Sequence, residues 1–193
     1  VVRELRRAGI NENIGNINAV NELMATGQLM AYTRKHGNHG SKSIYGENII
    51  DSNDKLKEVL DSRDKLEAMY TNLEEAAGDE LEEAIESSLT GTAEDPVDYD
   101  TFEELRISNR QIRYISNLAR RNDYRVPYVK NGQAGLINLT FVADDNDKGK
   151  ISIKMNTASW GELSVEAKVT QSDVSMYVKQ DSRIVLSEDR SIY

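Results

Sequence analysis

Two histidines three residues apart, in the stretch KHGNHG, are the first residues that could do chemistry. Imidazole nitrogens ligate zinc and its neighbours, but a firm site wants three or four converging ligands. His36 and His39 are the whole histidine complement, the chain has no cysteine, and no carboxylate follows in that loop before Glu47. The pair reads as loop surface, and no metal site is expected. A second stretch, DDNDKGK from Asp144 to Lys150, hints at a calcium loop. Counted from Asp144, Gly149 falls where the sharp turn belongs. Lys148 however stands where an oxygen ligand is needed, and Met155 where the bidentate glutamate should be. This stretch reads as a solvated hairpin turn.

A row of arginines, Arg106, Arg110 and Arg113 with Arg120 beyond, shares one side of a helical pattern and could meet phosphate. Nucleic-acid binders carry a basic domain, whereas residues 96–193 hold fourteen basic and fourteen acidic residues. A nearer counter-charge is the segment 51–95, with four basic and fifteen acidic residues. That segment repels nucleic acid and anionic lipid, so no nucleic-acid partner is expected. Carboxylates are plentiful, but abundance is not a pocket. The phosphate-loop, dinucleotide-loop and nucleophile-elbow patterns are all absent. With both histidines on one loop and no thiol, an enzyme is not expected, and neither is a cofactor.

The 193 residues carry a net charge of −9 and suffice for one or two domains. The first residue is Val1 rather than methionine, which reads as a fragment or a processed product. Arg3, Arg6 and Arg7 have no apolar run behind them, unlike a secretion signal. No stretch reaches the roughly eighteen apolar residues that span a bilayer, so membrane insertion is not expected.

Ile14, Ile17, Val20 and Met24 recur at helical spacing, with Asn11 or Asn13 as cap and Gly27 as stop, and predict a helix over about 12–26. Residues 51–89 read as helix with a break at Gly78-Asp79. Its stripe is Leu56, Val59, Leu60, Leu66, Met69, Tyr70 and Leu73. Residues 90–98 read as a linker, and a third helix follows over about 100–122, with Phe102, Leu105, Ile112, Ile115 and Ala119 on one side. After Asp123 the period changes to two. Five alternating runs follow: Tyr124 to Tyr128, Ile137 to Ala143, Ile151 to Met155, Leu163 to Val169, and Val174 to Val178. Short turns between them require antiparallel pairing. One face is apolar, and the other carries Lys150, Lys154, Glu162, Glu166 and Lys168. The dry face needs a cover, and the third helix is the nearest candidate. The expected fold is therefore α+β: a helical, acidic region over 1–98, then a helix and a small antiparallel meander over 99–193, covered on one face by a helix. The only tryptophan, Trp160, stands before Gly161 in NTASWG. It reads as a plug for the open end of the core, with Gly161 easing the entry to the next strand.

The stretch ISIKMNTASWGELSVEAKVTQSDVSMYV resembles the carboxy-terminal domain of flagellar hook-length control proteins. That family has an alternating strand, a short segment ending in Leu-Gly, a second strand, a turn and a third strand. Here Trp160 replaces the leucine before Gly161, and Thr157-Ala158 stands where the family has a proline. The family's following helix has no clear counterpart in QDSRIVLSEDRSIY. Upstream, LRRAGINENIGNINAVNELM and ISNRQIRYISNLARRNDYRVPYVKNGQ are similar to domains of unknown function related to that family, including a Y-x-x-P entry at Tyr124 and Pro127. The resemblance implies a non-catalytic bacterial protein of the cytoplasm. It would be exported by, or associated with, the flagellar type III export apparatus and would bind an export-gate switch or hook component. Candidate partner contacts are Trp160, Gly161, Lys154, Glu162, Glu166 and Lys168. The rival reading is an adaptor or scaffold whose acidic helices bind a protein partner while the sheet only stabilises.

Overall fold

The computed structural model describes residues 1–30, 50–90, 99–130, 133–144, 148–157, 161–170 and 173–181. Five helices precede five strands. They are α1 (Val2–Ala8), α2 (Ile14–Thr26), α3 (Asn53–Leu60), α4 (Arg63–Thr90) and α5 (Tyr99–Ala119), then β1 (Asp123–Lys130), β2 (Gln133–Asp144), β3 (Lys148–Thr157), β4 (Gly161–Val169) and β5 (Val174–Asp181). The strands form one antiparallel meander in the order of the chain. The α+β class read from the sequence is the one observed.

Local chemistry explains most boundaries. Asn13 caps α2 by accepting from the Asn16 amide at 2.9 Å, and Gly27 ends it with φ 66°, where a Cβ would be strained. Helix α1 carries Glu4 in its first turn and Arg6 and Arg7 in its last, each favourable to the helix dipole. The sequence reading had no helix there. It also placed the break in the acidic segment at Gly78, and this is corrected: α4 runs through Gly78, and the break lies between α3 and α4. Ser62 supplies the start of α4 by accepting from the Lys65 amide at 3.2 Å. One glycine inside a helix costs only about 1 kcal/mol against alanine, and buried Leu66, Met69, Tyr70, Leu73, Ala77 and Ala84 hold α4 on both sides of it.

One core joins α1, α2, α4, α5, β1 and β2. Leu5 and Ala8 of α1, Val20 and Leu23 of α2, the α4 residues and Ile112, Ile115 and Leu118 of α5 meet Tyr124, Val126, Ile137 and Leu139 of β1 and β2. Gln111 is buried in the middle of it. Its Nε2 donates to the Ala19 carbonyl at 3.1 Å, and its Oε1 accepts from the Met30 amide at 2.8 Å, which ties α2 and the turn after it to α5. Asp123, also buried, opens β1 within 2.6 Å of the Arg7 guanidinium, so α1 is held to the sheet by charge as well as by Leu5. Two members of the arginine row meet acidic partners. Arg106 pairs with Glu103 at 2.6 Å, and Arg120 reaches Glu74 on the acidic helix α4 at 2.9 Å.

Helix α5 passes through Asn122, in the left-handed region at φ 60°, directly into β1. This short connection fixes where the cover lies. A helix is about 10 Å wide and strands are about 4.8 Å apart, so one helix covers about two strands. Helix α5 therefore rests on β1, and the deep core ends at β2. Among the described residues, cover of the dry face thins out at β3, where Ile153 and Met155 are partly buried against the core.

Buried phenols give this core a pH limit. Burial pushes the Tyr114 hydroxyl, 3.3 Å from Glu4, up to about 12. Burial likewise raises Tyr70, Tyr124 and Tyr128 above the ordinary 10. A group whose folded pKa is raised contributes its full stability below the unfolded pKa and loses it as pH rises through the folded one. Denaturant midpoints should therefore be insensitive to these phenols below about pH 10 and fall between about 10 and 12. Ionisation of these four phenols should accompany loss of structure; their full ionisation in a still-folded chain would contradict this.

Candidate docking surface on the sheet

The pairing register sorts the sheet into two faces. On the apolar face, Tyr124, Leu139, Ile153, Val165 and Val178 form one row across the five strands. Val126, Ile137, Met155, Leu163 and Gln180 form the next, and Phe141, Ile151, Ala167 and Met176 a third. The first two rows begin in the core, Phe141 at the head of the third is already 38 % exposed, and all three end in solvent. Tyr124 is 1 % exposed, whereas Val174, Met176 and Val178 are 68, 67 and 55 % exposed. Ile153 and Met155 lie between these limits, half-covered by the core margin. An apolar face of this extent, over whose outer strands no described element lies, is the usual mark of an interaction surface.

The opposite face carries the charges. Lys150 lies directly across from Lys168, a like-charge pair that destabilises a bare sheet. Glu166 offsets it: its carboxylate is 3.0 Å from the Lys150 ammonium, and Lys150, Lys168 and Lys154 hold it below the usual carboxylate range. The register thus brings four candidate contacts, Lys154, Glu162, Glu166 and Lys168, onto one charged face. Gly161 begins β4, paired with Thr157. Trp160, His36, His39 and the linker at 91–98 lie outside the described residues. What the sequence reading did not assign to a site is the apolar side of β5. Its signal is the alternation Val174, Met176, Val178, which in sequence reads as part of the dry face to be covered by a helix.

No protein family, no curated protein and no solved structure matches this chain. Among the described residues no three His, Cys, Asp or Glu side chains converge as a metal site requires, and no helix is long and apolar enough to cross a membrane. The surface is thus read from its own chemistry. It offers a half-layer of a β-sandwich, apolar on one side, held at one end by a helical body.

Proposed function

We propose that the chain is a non-catalytic protein-binding module that docks a partner on the outer half of its sheet. The observation that supports this is the exposed apolar row of β5, continuous with Ile151, Val165 and Ala167, at the end of the sheet away from α5. A partner that lays an apolar surface over β3 to β5 completes a second layer, and Lys154, Glu162, Glu166 and Lys168 line the reverse side. Within this proposal stands the narrower one, a module of the flagellar hook-length-control type that acts in the cytoplasm, passes through the flagellar export apparatus and meets its export-gate switch protein. It rests on the strand–turn–strand order of residues 151–178.

One feature favours the rival surface: the last turns of α4 expose Ile85 and Leu89, at 42 and 81 %, beside Glu82, Glu83 and Glu86. The test sets the two against each other in the full chain, with the export-gate switch protein as probe and calorimetry as readout. Ala167→Lys should weaken binding at least about tenfold, the loss of one well-placed apolar contact plus a desolvated charge. The triple Glu82→Lys, Glu83→Lys, Glu86→Lys should leave it within about twofold. The reverse outcome assigns binding to α4. No binding by the parent chain removes the flagellar proposal.

A further inference from the structure

The outer edge of β5 has no strand beside it among the described residues, and its length, alternation and lack of proline or bulge leave it open to pairing. Its chemistry has a symmetry that a lone edge does not need. Centred on Met176, the order is Asp173, Val174, Ser175, Met176, Tyr177, Val178, Lys179. Hydroxyl residues flank the centre at one step, valines at two, and opposite charges at three. We infer that β5 pairs antiparallel with β5 of a second copy of this chain, about a two-fold axis at Met176.

In that register Met176 faces Met176, Val174 faces Val178, Ser175 faces Tyr177, and Asp173 faces Lys179 of the second copy. Residues paired across antiparallel strands share a face. The methionines and valines therefore continue the apolar side, and the Ser–Tyr and Asp–Lys pairs continue the polar one. Asp173 is well placed: its carbonyl accepts from the Thr170 amide at 2.8 Å, which extends the β4–β5 ladder by one step and directs the residue along the edge. Shifting the register by two residues toward the C-terminus sets Asp181 in line with Asp173 and removes the facing Asp–Lys pairs. A strand from an unrelated protein would call for complementarity but not for this internal symmetry, and closed two-fold pairs are the commonest assembly of identical chains. Four strand spacings, about 19 Å, separate β5 from β1, so the helical bodies sit at opposite ends of a ten-stranded sheet. The inference stands apart from the partner-binding proposal, since it uses the edge rather than the face.

The chain has no cysteine, so a single introduced thiol can form a disulfide only between copies. A self-facing pair has Cα atoms about 4.5–5.5 Å apart, within disulfide reach. Met176→Cys should therefore cross-link under mild oxidation. Val178→Cys should not, because the two positions would lie about 13 Å apart along the strands. Sedimentation of the unmodified chain over a dilution series should show a monomer–dimer equilibrium. Lys179→Asp should weaken it roughly tenfold by replacing two attractive pairs with two repulsive ones, and the exchange Asp173→Lys with Lys179→Asp should restore it. A monomer at every concentration, equal cross-linking at both positions, or no rescue by the exchange would overturn the inference. Unchanged circular dichroism and thermal midpoint in each variant show that the fold is not the cause.

Discussion

Tyr124→Ala is expected to cost about 3–5 kcal/mol of folding stability, the range for deleting a buried aromatic ring. Tyr124 stands where the helical layer meets the sheet. Its ring lies 6.2 Å from Tyr70 of α4 and meets Phe141 of β2 edge-on at 5.5 Å. Such aromatic pairs add about 0.5–1.5 kcal/mol beyond the area they bury. Truncation leaves a cavity that α4 cannot fill without shifting its whole stripe. Tyr124→Phe, which keeps the ring, should lose no more than about 1.5 kcal/mol. Equilibrium urea unfolding measures both. A cost near zero for the alanine variant would mean that the sheet is not anchored through β1.

Gln111→Ala should cost about 2–4 kcal/mol by a different route, a small cavity plus two buried hydrogen bonds. The glutamine is the one side chain seen to bond α5 to both the Ala19 carbonyl and the Met30 amide. Its loss should loosen α2 in particular. Hydrogen exchange should therefore quicken over residues 14–30 while β1 and β2 keep their protection. Uniform acceleration across the whole chain would instead assign Gln111 to global packing.

These two positions show what sequence patterning could and could not reveal. The change from helical period to alternation at Asp123 marked the helix–sheet boundary, and the five alternating runs gave each strand its faces. Gly27 and a cap at Asn11 or Asn13 mark α2 in the sequence, and the structure uses Asn13, each cap satisfying a backbone group at a helix end. Helix α1 went unseen although Leu5 and Ala8 lie three apart and Gly9 follows; seven residues are too few for periodicity to stand out. Gly78 misled because an intrinsic preference was weighed without the buried residues that override it. Gln111 gave no signal, since a polar residue on an apolar stripe shows its bonds only in three dimensions. The largest gap concerns β5. Alternation shows that a face is apolar but not whether anything covers it. That depends on how many strands a helix can span once the short α5–β1 connection has fixed its place.

The central claim is that the outer apolar face belongs to a partner rather than to the chain's own core. Urea unfolding of Ala167→Lys tests it most directly, because this side chain sits between Ile151 and Met176 in the middle of that face. An uncovered face accepts a lysine whose stem lies along its neighbours and whose ammonium stays in water, so stability should remain within about 0.5 kcal/mol of the parent chain. A loss of about 3 kcal/mol or more, the cost of an unpaired charge forced into a packed interior, would show that the chain covers this face itself and leaves no surface to offer.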